Sequence, residues 1–160
     1  MSDQTVSVLF VCMGNICRSP MAESLFRHHA RERGLLSCFR IDSAGTGGWH
    51  RSQSPDERMR EVGHAHGVQV QGVARQIDPD DLHAFDHVLC MDSDNLDGVN
   101  ELGSGTADVR LMLSHHPGNV HDVPDPYYGG GQGFETVFEL LDVACQRLLD
   151  DLTSRHGLST

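Results

Sequence analysis

The stretch Ser7-Val8-Leu9-Phe10-Val11-Cys12-Met13-Gly14-Asn15-Ile16-Cys17-Arg18-Ser19-Pro20 decides the fold. Its first six residues form a short, mostly apolar run, the pattern of a strand buried on both faces. A glycine-containing turn follows, and Ser19-Pro20 opens a helix with proline near its first position. Met21, Ala22, Leu25, Phe26 and His29 then recur on one helical face, and Gly34 marks its stop. A strand that enters a helix must return by a crossover, so the next strand, Phe39 to Ser43, is expected to pair with the first in parallel.

Working outward, Ser54-Pro55-Asp56-Glu57 resembles a capping box that starts a helix ending near Gly67. Asp78-Pro79-Asp80-Asp81 predicts another short helix start. Asp86 to Met91 reads as a third strand, with Asp92-Ser93 capping the helix after it. Val109 to Leu113 reads as a fourth strand. A polar loop from about Ser114 to Gly133 leads to a long helix with Phe134, Val137, Phe138, Leu141, Ala144, Cys145, Leu148 and Leu152 along one stripe. This order predicts an α/β fold: a single-domain, four-stranded parallel sheet with helices on both faces, spanning residues 1–160. Ligands bind such sheets at the carboxyl ends of strands, where the Cys12–Ser19 loop begins.

A chain of 160 residues with 38% hydrophobic and 22% charged residues fits one globular domain. No apolar run approaches membrane-span length, and Met1-Ser2-Asp3-Gln4 lacks the basic start of an export signal, so a cytoplasmic protein is expected. Five cysteines with no export signal argue against a disulfide framework. No Cys-x-x-Cys pair occurs, and His115, His116 and His121 show no regular ligand spacing, so neither metal nor cofactor is expected. The net charge of −11 argues against nucleic-acid and membrane partners. It also requires that any anionic substrate be held by a local feature strong enough to overcome the global repulsion.

The Cys12–Ser19 loop supplies that feature. A turn between a strand and a helix N-terminus aims several backbone N–H groups at one spot, with the helix dipole behind them. Gly14 bends without a Cβ penalty, and Asn15 tolerates left-handed geometry. Arg18 offers a planar fork for two phosphate oxygens. The result is a phosphate-binding loop after strand 1, without the Gly-Lys-Ser/Thr ending of a nucleotide loop. The same surroundings favour a thiolate, so Cys12 is the candidate nucleophile beneath the bound phosphorus. Ser19 either donates its hydroxyl to the sulfur or caps the helix. Asp125, between Pro124 and Pro126, is either a turn residue or a proton donor and acceptor on the loop before the last helix.

The chain resembles the low-molecular-weight protein tyrosine phosphatases. Val11 to Pro20 matches their signature loop. Asp42-Ser43-Ala44-Gly45-Thr46, Ala74-Arg75-Gln76, Leu89-Cys90-Met91-Asp92 and Asp125-Pro126-Tyr127-Tyr128 match later family segments. The resemblance implies hydrolysis of phosphotyrosine in proteins through a phosphocysteine on Cys12, with Arg18 holding phosphate and Asp125 acting as general acid and then base. It implies substrate contacts from Met13, Gly14, Asn15, Ile16, Cys17 and Ser19, and pocket walls from Trp49, Tyr127 and Tyr128. Ile16 stands where phosphoarginine phosphatases are expected to carry threonine, which favours phosphotyrosine. Asn15, Ser19 and Ser43 match the family's loop-supporting network. Animal members carry a histidine before Ala-Arg-Gln, whereas this chain has Gly72-Val73. A monomer is expected.

Cys17 has two readings: a packed small residue, or a partner in a reversible disulfide that protects Cys12 from oxidation. Cys38, Cys90 and Cys145 read as core or near-core thiols. Two other functions fit less well. A thiol-dependent arsenate reductase needs a closely spaced downstream cysteine pair, which Cys90 lacks. A silent phosphoprotein-binding module would have no use for both Cys12 and Asp125.

Overall fold

The computed structural model describes residues 5–126 and 131–159. Strand β1 (Val6–Cys12) is buried along its whole length. It pairs in parallel with β2 (Phe39–Gly45), from Val6 opposite Phe39 to Cys12 opposite Gly45. On its other edge it pairs with β3 (His87–Cys90), which in turn pairs with β4 (Asp108–Leu111), again in parallel. The order β2-β1-β3-β4 follows from these pairings. The chain leaves β1 to one side and later returns to the other, so the order switches at the carboxyl end of β1.

The both-faces-buried reading of β1 holds residue by residue. Val8, Phe10 and Cys12 pack into a cluster with helices α1 (Arg18–Glu32) and α5 (Gly131–His156), through Met21, Leu25, Phe26, Val137, Leu141 and Leu148. Leu9 and Val11 point the other way, onto Leu82, Phe85, Val88 and Val99. These last residues come from or adjoin β3, the short helix α3 (Asp81–Ala84) and α4 (Ser93–Glu101). Phe26 meets the Phe39 ring edge-on at 5.0 Å, fixing α1 against β2. Each such fully buried side chain contributes about 1.5–3 kcal/mol.

Three element ends differ from the sequence reading. Helix α2 (Glu57–Ala65) is capped by Asp56, whose carboxylate accepts the Arg58 N–H, and not by Ser54. The Asp56 N–H is itself committed to the Ile16 carbonyl at 2.7 Å, which sets where the helix begins. The fourth strand ends at Leu111, and Met112–His115 form a 3-10 turn. The cause is pairing: β3 offers four residues, so the edge strand has nothing to pair with beyond them. Helix α1 begins at Arg18 with Cys17 at its cap position, so Ser19 lies inside the helix and its N-cap role is excluded.

Candidate active site

The loop between β1 and α1 is held from outside by its carbonyl groups. The carbonyls of Cys12, Met13, Ile16 and Cys17 accept hydrogen bonds from the N–H groups of Thr46, Gly47, Asp56 and Met21 at 2.7–3.2 Å. In a trans peptide the next N–H points opposite to its carbonyl. Turning these four carbonyls outward therefore turns the amides of Met13, Gly14, Cys17 and Arg18 towards the concave side. Asn15 supplies the sharp reversal with φ 58°, the left-handed geometry its side chain tolerates. Gly14 lies so close to His50 that a Cβ there would come within 2.8 Å of the imidazole.

Cys12 sits at the floor, 2% exposed. Its Sγ accepts the Asn15 N–H at 3.2 Å and lies 2.9 Å from Ser19 Oγ. The Asn15 amide nitrogen donates to Ser19 Oγ at 2.8 Å and to Ser43 Oγ at 3.0 Å, so Asn15, Ser19 and Ser43 form one connected network. Above the sulfur is a cavity of about 40 Å³, lined by Cys12, Met13, Gly14, Ile16, Cys17 and Arg18, with His50 and Asp125 completing it. A water needs about 10–15 Å³ by such a measure, so the space suits a group with several oxygens.

Arg18 is 2% exposed and reaches into this space under tight control. Its Nη1 donates to Asp92 Oδ2 at 2.7 Å and to the Val123 carbonyl at 3.0 Å. Its Nη2 faces Asp125 Oδ2 at 3.6 Å. Burial alone would lower the Arg18 pKa, but the charge of Cys12, and the hydrogen bond and charge of Asp92, outweigh it and raise the value. Asp92 does two jobs: Oδ1 caps α4 through the Asn95 N–H at 2.8 Å, while Oδ2 orients the arginine. The sequence shows only the first.

A family model for the low molecular weight phosphotyrosine protein phosphatases matches residues 7–157. The chain belongs to this family. It is 41% identical over 157 residues to the low molecular weight protein-tyrosine-phosphatase YfkJ of Bacillus subtilis, covering 96% of this chain and 99% of that one. It is 39% identical over 150 residues to the human low molecular weight phosphotyrosine protein phosphatase, covering 91% and 95%. Its fold superposes on a protein tyrosine phosphatase from Entamoeba histolytica, crystallised with Hepes in the active site, with a TM-score of 0.90 at 36% identity, covering 96% of this chain and all of that one. By this membership the chain is an enzyme of the phosphatase class.

For a member of this family, the remaining candidates fall out unevenly. Ile16 lines the cavity, as its position in the loop implies. Trp49 does not line it: the residue is 73% exposed and its ring lies against Gly47, and the neighbouring His50 faces the cavity instead. A tryptophan in a glycine-rich loop signals an aromatic wall, whereas His50 carries no signal of its own in the sequence. Tyr127 and Tyr128 lie outside the described residues. Cys17 is buried in the loop and borders the cavity, and burial, followed by the charges of Asp56 and Cys12, pushes its thiol up to about 12. Burial pushes the Cys90 thiol up to about 12 and raises that of Cys145 well above the ordinary value, while Cys38 is half-buried. Gly72 has φ +135°, a conformation that disfavours any side chain, so a histidine at this point would be strained. Among the described residues no cluster of metal-ligating side chains occurs and no helix is long and apolar enough to cross a membrane.

Proposed function

We propose that this enzyme hydrolyses phosphotyrosine in proteins, and aryl phosphate monoesters generally, through a phosphocysteine on Cys12. The carrying observation is the convergence of Cys12 Sγ, Arg18 and Asp125 on one small cavity. Cys12 Sγ, already accepting one backbone N–H, attacks phosphorus while the bond to the aryl oxygen breaks. Asp125 gives its proton to the departing phenolate. The inward amides and Arg18 hold the three equatorial oxygens through the transition state. Water then attacks the phosphocysteine, Asp125 takes a proton from it, the S–P bond breaks, and inorganic phosphate leaves with the thiolate restored beside Ser19 Oγ.

A sulfur at the bottom of a cavity lined by Met13, Gly14 and Ile16 favours a flat aryl ester that can reach it. Ile16 offers an apolar contact to the ring, which supports phosphotyrosine over phosphoarginine. The acidic surface, with a net charge of −11, favours substrates whose flanking segments are basic. We read the chain as one domain, residues 1–160, working as a cytoplasmic monomer. An arsenate reductase would need a second accessible thiol, and Cys90 is buried with its ionisation suppressed. The redox reading of Cys17 requires a peroxide to oxidise Cys12 to a sulfenic acid, from which the Cys17 sulfur displaces water. Its suppressed ionisation works against that step, so packing is the better reading.

The test is turnover of p-nitrophenyl phosphate and of alkyl-substituted phenyl phosphates. Cys12→Ser abolishes turnover while phosphate still binds, and Asp125→Ala slows esters of weakly acidic phenols far more than that of p-nitrophenol. Equal losses for both leaving groups would remove Asp125 from the acid role. Residual full turnover in Cys12→Ser would remove the phosphocysteine.

A further inference from the structure

Cys12 Sγ is one end of a chain of side-chain hydrogen bonds whose other end is a carboxylate, and with Cys12 as a thiolate and Glu23 as a carboxylate every link has one direction. The Arg75 N–H donates to Asn15 Oδ1 at 3.0 Å, so the amide oxygen faces Arg75 and both amide hydrogens lie on the other side. They go to Ser19 Oγ at 2.8 Å and Ser43 Oγ at 3.0 Å. A hydroxyl has a single hydrogen. Ser19, already accepting from Asn15, has that hydrogen for Cys12 Sγ at 2.9 Å. Ser43 has its own for Glu23 Oε1 at 2.6 Å. The second Glu23 oxygen accepts from Arg27 Nη2 at 2.8 Å, so as a carboxylate Glu23 has a donor on each oxygen.

We infer that Glu23 is a positioning residue for the nucleophile: by accepting the Ser43 hydrogen it locks the Asn15 amide and both hydroxyls in the polarity that delivers the Ser19 hydrogen to Cys12 Sγ. This rests on Cys12 being the nucleophile. The opposite polarity would turn the amide oxygen towards the two hydroxyls and draw the Ser19 hydrogen off the sulfur. With Glu23 present, that reversal leaves one oxygen of a largely buried carboxylate without its donor and sets two N–H donors, of Arg75 and Asn15, against each other. Without Glu23, only the Arg75 N–H resists it. The Arg75 backbone is well anchored, since its guanidinium pairs with Asp42 and Asp81 at 3.0–3.2 Å.

The surroundings of Glu23 fit an acceptor. Its side chain is 12% exposed and lines a second cavity, of about 270 Å³, that shares no lining residue with the one above Cys12. Gly72 borders that cavity, and a Cβ on it would stand 3.9 Å from Glu23 Oε1. The charged groups facing Glu23 are Arg27 on its own helix and Asp42 on β2. Burial, with Asp42 adding to it, raises its pKa despite the bonds from Ser43 and Arg27. Protonation on acidification would turn Oε1 from acceptor to donor, the same reversal that the substitution below produces.

Glu23→Gln keeps the shape but introduces an amide that can donate to Ser43. The intact protein is alkylated with iodoacetamide across pH, and modification of Cys12 is followed by peptide mass to separate it from the other four cysteines. In Glu23→Gln the rate of Cys12 alkylation on the low-pH limb of its profile falls about tenfold. The kcat for p-nitrophenyl phosphate falls by a similar factor with KM little changed. Ser19→Ala shows the same fall, and adding Glu23→Gln to it changes nothing further. Glu23→Asp, which keeps an acceptor, recovers part of the loss. Should Glu23→Gln not fold, Ser43→Ala cuts the same chain and carries the same expectation. An unchanged rate, or a further full loss in the Ser19→Ala background, overturns the inference. Because alkylation does not depend on turnover, its outcome is separate from that of Cys12→Ser, which tests the phosphatase mechanism itself.

Discussion

Replacing Asp92 separates its two roles. In Asp92→Asn, Oδ1 can still cap α4 through the Asn95 N–H, but the group facing Arg18 becomes an uncharged N–H donor. Arg18 has a side chain only 3% exposed, so it cannot recover the lost bond from water. It keeps the Val123 carbonyl at 3.0 Å and the more distant Asp125 at 3.6 Å. The loss is therefore that of one charge-assisted hydrogen bond, about 1.5–3 kcal/mol, and not the larger cost of a stranded charge. Asp92→Ala loses the cap as well, about 1 kcal/mol more. For a chain of this size each kcal/mol shifts Tm by about 2–4 °C. Thermal melts should thus rank wild type above Asn, and Asn above Ala, with the last gap the smaller. Activity should behave differently. Both variants free the guanidinium equally, so kcat/KM for p-nitrophenyl phosphate falls in both by the same factor, about 10- to 100-fold by the same energy. An Asn variant with wild-type kcat/KM would refute the orienting role. An Ala variant far less active than Asn would show that α4, not the charge, supports the site.

Two further perturbations probe the frame. A Cβ on Gly45 would lie 2.7 Å from the Met13 carbonyl oxygen and 3.1 Å from the Gly14 carbonyl carbon, so Gly45→Ala pushes on the phosphate loop from behind. Stability should fall by about 1–3 kcal/mol while the circular dichroism of the fold persists, and phosphate affinity should drop with it; unchanged affinity would show that the loop is not braced there. His87 is buried in β3 with its Nε2 3.0 Å from that of His156, and burial, then His156, lowers its pKa despite Asp108 and Asp86, with Arg155 adding to the lowering. The unfolded chain then binds the proton more readily, so the His87 contribution is present above the ordinary histidine value of about 6.5 and is lost as pH falls below it. Tm of the wild type should drop more between pH 7.5 and 5.5 than Tm of His87→Gln; equal drops would show that the pair does not couple to folding.

What was legible in the sequence is what local chemistry determines. The buried run of β1, the Gly14 and Asn15 turn, and the Asp92 cap each depend on a few adjacent residues, and each is found where it was expected. The misreadings share another cause. The end of β4 depends on the length of β3, and the start of α2 depends on the Asp56 N–H meeting a loop forty residues earlier. Likewise, the arginine-orienting role of Asp92 arises from a contact 74 residues apart in the chain, and the link from Ser43 to Glu23 spans 20. An aspartate before a helix looks complete as a cap, and a glutamate inside a helix looks like solvated surface. Only packing shows that one grips the phosphate-loop arginine and the other the loop's hydrogen-bond network.

The question raised by a net charge of −11 has a sharper form once the site is assembled. Arg18 is the one permanent cation lining the cavity among the described residues, and two carboxylates already face it. Asp92 stays on Nη1 and fixes the plane of the fork, so it orients without occupying the substrate's place. Asp125 faces Nη2, the atom that the proposed mechanism gives to a phosphate oxygen. Under the proposed mechanism Asp125 must enter the reaction protonated, because the leaving phenolate needs that proton. The same proton removes the negative charge that would otherwise compete with phosphate for Nη2 and repel it across a few ångströms of low-dielectric space. Acid catalysis and anion capture are then one protonation event. On the proposed mechanism a cavity with a single arginine and an acidic surround can thus hold a phosphate ester, with the loop's inward amides, which carry no net charge, supplying the rest of the binding.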